Sequence, residues 1–186
     1  MAAENDLGLI YGCQWRNFDG DEDHGVKGYD QFKSMVDKLH NNPSDRRMIV
    51  SAWNPNQLDE MALPPCHLMF QVVCTGENFE TINLNWYQRS CDTMLGIPFN
   101  IASYALLLEL LAKESGKTAG RLCGMLGDVH IYENHIENAR IQLDREPRSL
   151  PELELPGFTN IFDWTYEQRK LVGYTSHDKL DFEIAV

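Results

Sequence analysis

The sequence predicts an α+β fold, a mixed or antiparallel sheet packed with helices around one long buried helix. Three patterns lead to it. Thr81 to Gln88 alternates Ile82, Leu84 and Trp86 with Thr81, Asn83 and Asn85, the period of two of a half-buried strand, and follows the apolar run His67 to Cys74 across a Gly76-Glu77-Asn78 turn. Tyr29, Phe32, Met35, Val36 and Leu39 recur at helical spacing. The stretch from Ile101 to Ala112 is apolar nearly all round, as expected of a helix through the centre of a domain.

Taken in order, the first helix should stop at Asn41-Asn42-Pro43, because proline cannot continue it. Arg47 to Trp53 is expected as a strand, with a loop to Leu63. His67 to Cys74 and Thr81 to Gln88 then pair antiparallel. Pro98 precedes the long helix, placed at about Asn100 to Ser115. Arg121 to Ile131 reads as a strand and Tyr132 to Leu143 as a helix closed by Pro147. A last extended segment runs from about Leu171 to the carboxyl terminus. With 186 residues and no repeat or low-complexity linker, a single domain over residues 1–186 is expected. A chain of that size buries about 70% of its unfolded surface.

Composition excludes several classes. A net charge of −12 argues against a sequence-independent grip on nucleic acid, which draws its affinity from clustered lysine and arginine. A small anion could still bind through Arg46, Arg47 and Arg89. The acidic runs Asp19 to Asp23 and Pro151 to Leu155 read as solvated surface. Five scattered cysteines, odd in number, point to reduced thiols and a cytoplasmic location. The Ile101 to Ala112 stretch is interrupted by Ser103, Tyr104 and Glu109 and is shorter than a bilayer requires, so no membrane partner is expected.

The segment Met61-Ala62-Leu63-Pro64-Pro65-Cys66-His67 delivers one thiol behind two rigid residues. That placement suits a nucleophile, although free cysteine also serves as a small buried hydrophobe. Cys66 and His67 are adjacent, so in extended chain they face opposite ways and cannot form a nucleophile–base dyad. His67 is expected to be structural. His130 and Tyr132, two apart, should share a face and could reach one sugar hydroxyl, or simply pack together. No metal is expected: His130 and His135 are five apart, whereas zinc needs three or four converging ligands.

A longer segment, Trp86-Tyr87-Gln88-Arg89-Ser90-Cys91-Asp92-Thr93-Met94-Leu95-Gly96-Ile97-Pro98-Phe99-Asn100, is too specific for a generic strand and helix. With Asp45-Arg46-Arg47, Ser51-Ala52-Trp53-Asn54-Pro55, the Cys66 run, Gly127-Asp128-Val129-His130-Ile131-Tyr132, Asn134-His135 and Arg145-Glu146-Pro147-Arg148, it resembles the thymidylate synthase family over nearly the whole chain, in order. The resemblance implies methylation of carbon 5 of the uracil ring of dUMP, with 5,10-methylenetetrahydrofolate as one-carbon donor and reductant. A thiolate at Cys66 would add to ring carbon 6. An ordinary thiol is only about 3% ionised at neutral pH, so a cation is needed nearby, and Arg89 is the candidate.

By the same likeness, Cys66, Arg89, Asn100, Tyr11 and Asp92 form the catalytic set. Arg46, Arg47, Gln88, Arg89, Ser90, Asp92, Asn100, His130 and Tyr132 contact dUMP, the last two at the sugar. Leu63, Asp92, Leu95, Gly96, Phe99 and Ala185 contact the folate. An asparagine amide offers a donor and an acceptor that match uracil and mismatch cytosine; Asn100 could also cap the following helix. Arg46 and Arg47 would cross to the phosphate of a second subunit, which implies a symmetric homodimer. The related hydroxymethylases of phage and a dUMP-binding fragment needing an N-terminal complement are the alternatives. Met1 to Gly8 aligns with the interior of family members, so about the first third of the usual domain is expected to be absent. The stretch Ser176-His177-Asp178-Lys179 departs from the family's proline-rich pattern, while Tyr174 and His177 remain in place as ribose contacts.

Overall fold

A computed structural model of the chain describes residues 7–20 and 24–184. Ala185 and Val186, Met1 to Asp6 and Asp21 to Asp23 lie outside the described residues, and with them the folate contact expected of Ala185 and part of the acidic run. In chain order the elements are α1 (Gly12–Arg16), α2 (Gln31–Asn41), β1 (Ile49–Ser51), β2 (His67–Thr75), β3 (Thr81–Asp92), α3 (Gly96–Ser115), β4 (Thr118–His130), α4 (Ile136–Leu143), β5 (Glu152–Glu154) and β6 (Lys170–Val172).

The alternation seen in the sequence becomes the two faces of a four-stranded sheet, ordered β1-β2-β3-β4. The first two pairings are antiparallel and β3 with β4 is parallel, so the sheet is mixed. A parallel neighbour cannot be reached by a tight turn, and α3 supplies the crossover. One face buries Val50, Phe70, Val72, Ile82, Leu84 and Trp86 against α2 and α3, whose Met35, Leu39, Tyr104, Leu108 and Leu111 complete the core. The opposite face points outward, with rows such as Met69, Tyr87 and Met125 in register across three strands. β4 comes so close to β3 that a Cβ at Gly124 would collide with the Trp86 indole.

Several boundaries differ from expectation, each for a local reason. The long helix starts at Gly96, four residues before Asn100. Asp92 Oδ1 accepts from the amides of Met94 and Leu95 at 3.1 and 3.3 Å and turns the chain into the helix. Pro98 is tolerated in the first turn, where its missing N–H would be unpaired in any case. Asn100 therefore lies inside the helix and does not cap it. The buried residues of α3 are Tyr104, Leu108, Leu110, Leu111 and Ala112, while Phe99 and Ile101 are 68% and 45% exposed. The strand expected over Arg47 to Trp53 is shorter, β1, and Gln31 covers the outer edge of its last residue: it accepts from Ser51 N and donates to Ser51 O. The final extended segment is β6, paired with β5, and the pairing stops where Gly173 adopts φ 75°.

A polar cluster is packed inside. Gln14, Asn54 and Gln57 are 0%, 1% and 8% exposed. Gln57 Oε1 accepts from Gln14 Nε2 at 2.8 Å and Asn54 Nδ2 at 2.9 Å, while Gln14 Nε2 also donates to Leu9 O and Gln57 Nε2 to Gly20 O. These amides fasten the Tyr11 segment to the loop that leads toward Cys66.

Candidate active site

Cys66 stands just before β2 and its backbone is held on both sides. Its N–H donates to the Tyr11 hydroxyl at 3.0 Å, and its carbonyl accepts from Arg89 N at 2.9 Å. The Arg89 side chain grips the approach to the thiol: Nε donates to Pro65 O at 2.9 Å and Nη2 to Pro64 O at 2.8 Å, with the guanidinium 5.8 Å from the Trp53 ring centroid. Proline lacks an N–H but keeps its carbonyl, so the rigid loop can still be fastened this way. Cys91 and Cys74 are buried and their thiols are pushed up by burial, whereas Cys66 is half-buried.

Tyr11 carries a positive φ of 36°, a region unfavourable for a residue with a Cβ, and it is maintained by its surroundings. Its ring stacks on His67 with centroids 4.2 Å apart, and His67 Nδ1 lies 2.9 Å from the Tyr104 hydroxyl. Burial pushes the His67 imidazole down to about 4 and raises the Tyr11 phenol. His67 is thus a neutral structural bridge between the site and the core.

A directional chain of hydrogen bonds orients Asn100. Trp86 Nε1 donates to Gln88 Oε1 at 3.4 Å, and Gln88 Nε2 donates to Asn100 Oδ1 at 2.9 Å and to Ser90 O at 3.0 Å. With Gln88 fixed at both ends, a flipped Asn100 would set one NH2 group against another. At the adjoining strand ends, Asp92 pairs with His130, and the His130 and Tyr132 rings meet edge to face at 5.0 Å. Among the described residues, no group of three or more His, Cys, Asp and Glu side chains is placed to hold a metal ion, and no helix is long and apolar enough to cross a membrane.

The family model for thymidylate synthase matches residues 1–186. The chain belongs to the thymidylate synthase family. A curated relative, the bifunctional dihydrofolate reductase-thymidylate synthase of Paramecium tetraurelia, is 49% identical over 189 residues, an alignment covering 98% of this chain and 40% of that protein. The chain thus spans about 40% of the length of this relative. The mixed α+β architecture agrees with the thymidylate synthase fold.

Within this thymidylate synthase domain, Tyr11, Cys66, Gln88, Arg89, Ser90 and Asn100 gather around the start of β2 and the carboxyl end of β3, beside Asp92, His130 and Tyr132. Gly96 faces Asp92 and Asn100: a Cβ there would lie 3.6 Å from Asp92 Cβ and 3.7 Å from Asn100 Oδ1. Leu95 is half-buried, and Leu63 and Phe99 are exposed apolar side chains. Arg46 and Arg47 do not join the cluster. Arg46 O accepts from Gln71 Nε2, five residues along β2 from Cys66, which is about 16 Å of extended chain. Tyr174 is exposed, and His177 bonds to Glu146 O at 2.9 Å.

Two contributions escaped the sequence reading. Gly127 lets β4 approach Arg89: a Cβ there would lie 2.9 Å from Arg89 O and 3.3 Å from its Cα. Glycine beside Asp128 in a strand was the available signal. Tyr104 reads only as an interruption of an apolar stretch, yet its hydroxyl secures His67.

Proposed function

We propose that this chain carries the site that converts dUMP to dTMP with 5,10-methylenetetrahydrofolate, as a methyltransferase of the thymidylate synthase type. The observation that carries the reading is the directional link from Gln88 to Asn100 beside a thiol whose backbone is fastened by Tyr11 and Arg89. Asn100 Nδ2 is left to donate to ring oxygen 4, and the second lone pair of Oδ1 to accept from ring N3–H. Cytosine reverses both demands. Cys66 then adds as thiolate to carbon 6, and the electron pair released onto carbon 5 attacks the one-carbon unit. The carbon 5 proton is then lost to solvent, hydride from the tetrahydrofolate so released reduces the one-carbon unit to methyl and leaves dihydrofolate, and the Cys66 thiolate is expelled from carbon 6; Asp92, Leu63, Leu95, Gly96, Phe99 and Ala185 are the folate contacts. Arg89 serves both the thiol and the phosphate, Ser90 the phosphate, and His130 and Tyr132 the sugar.

The distance of Arg46 and Arg47 from Cys66 supports a role for them across a two-fold axis, at the phosphate of a second copy. Met48, Val50, Phe70 and Val72 are buried in the chain's own core. The dimer face therefore consists of the outward residues, Ile49, Met69, Tyr87 and Met125 among them. Five free thiols suit a reducing cytoplasm.

Incubation of the purified protein with dUMP and 5,10-methylenetetrahydrofolate, with Cys66→Ala as control, tests the reading by mass spectrometry of the nucleotide. A product heavier by one methyl group, absent from the control, is expected. A hydroxymethyl product would replace the methylation step, and bound but unchanged dUMP would refute catalysis by this chain.

A further inference from the structure

His135, at the entry to α4, is 0% exposed and stands between Asp92 and the last described segment of the chain. Its Nε2 lies 2.7 Å from the backbone carbonyl of Glu183; a carbonyl only accepts, so the ring nitrogen donates. On the other side, Nδ1 has no hydrogen-bond partner among the described residues and lies 3.8 Å from Asp92 Oδ1. The Asp92 carboxylate is thereby bounded by the amides of Met94 and Leu95 and by the His135 ring.

Three residues on, Asn138 Nδ2 donates to Asp181 O at 2.7 Å. Residues three apart at the start of a helix lie on the same side. The carbonyls two apart in an extended segment likewise point one way. Two side-chain donors therefore grip residues 181–183 along one edge, as a neighbouring strand would, and the Phe182 ring meets the His135 ring edge to face at 5.2 Å.

We propose that His135 and Asn138 are positioning residues that latch the chain's last described segment to α4, and that His135 couples this latch to Asp92 and so to the affinity for the folate. The folate's identity rests on the function proposed above; the latch does not. Glutamine at position 135 reaches about as far as imidazole Nε2 and keeps a donor for Glu183 O, whereas asparagine reaches only as far as Nδ1. The test combines limited carboxypeptidase digestion of the full protein, read as loss of Ile184 and Glu183 by mass spectrometry, with calorimetric binding of tetrahydrofolate in the presence of dUMP. Asn138→Ala and His135→Asn are expected to speed trimming at least fivefold, and His135→Gln to stay within twofold. His135→Asn is also expected to weaken tetrahydrofolate at least fivefold. Asn138 is half-buried, so its variant keeps the test open if His135→Asn does not fold. Equal trimming in every variant overturns the latch, and faster trimming with unchanged tetrahydrofolate affinity overturns the coupling to Asp92. An unmodified protein that ignores tetrahydrofolate refutes the functional reading instead, and trimming alone then decides the latch.

Discussion

His67 shows how one buried side chain ties the site to pH. Its folded value of about 4 lies below the ordinary 6.5, so between these values the unfolded chain takes up a proton that the folded chain refuses. Stability contributed at neutral pH is therefore lost as pH falls through that window, by about 3 kcal/mol in total. Urea unfolding at pH 7 and pH 4 should show this loss in the unmodified protein and a smaller one in His67→Gln, which has no such proton to take up; equal losses would mean that the imidazole titrates freely. Asn100 makes the second prediction. Asn100→Asp keeps an acceptor for Gln88 Nε2 but replaces the outward NH2 by an oxygen, which suits the exocyclic amine of cytosine. Competition between dUMP and dCMP should shift toward dCMP by tenfold or more, on the order of 1.4 kcal/mol. Unchanged selectivity would remove Asn100 from base recognition.

At the scale of elements, the antiparallel pair and α2 were legible because one side of each is buried and the periodicity records it. The parallel placement of β4 was not. Its residues are mostly exposed along their length, so no alternation marks which neighbour it takes. The short α1 has too few residues for a period, and its buried Gln14 reads as surface in a sequence. The site divides in the same way: Cys66, Arg89 and Asn100 were visible through the family likeness, but the bonds to Pro64 and Pro65 and the link through Gln88 depend on chain crossings that no local pattern encodes. Gly124 offers a direct test of how tightly β3 and β4 are packed. Gly124→Ala forces a methyl group into the Trp86 ring and should cost about 1–3 kcal/mol, as overpacking does. A thermal melt shifted by several degrees would fit. An unchanged melt would mean that the indole can turn aside.

For the whole molecule, the outward sheet face is the largest unresolved demand on the fold. Ile49, Tyr87 and Met125 are 43%, 37% and 62% exposed on that face, an apolar surface that favours association. Light scattering at micromolar concentration should report twice the chain mass. Tyr87→Glu combined with Met125→Glu should return it to one chain, since a two-fold contact would bury these like charges against their counterparts in the second copy. A mass that the double variant leaves unchanged would place the contact elsewhere.

The amide cluster of Gln14, Asn54 and Gln57 has a consequence for heredity. Gln14 and Gln57, 43 positions apart, each need the other's donor or acceptor, and Asn54 needs both. Loss of any one strands buried partners at about 1–3 kcal/mol apiece, so no single-step change at these positions is neutral. Descendants of this chain should therefore keep the three amides as one inherited character, since apolar residues in their place would also strand the Leu9 and Gly20 carbonyls.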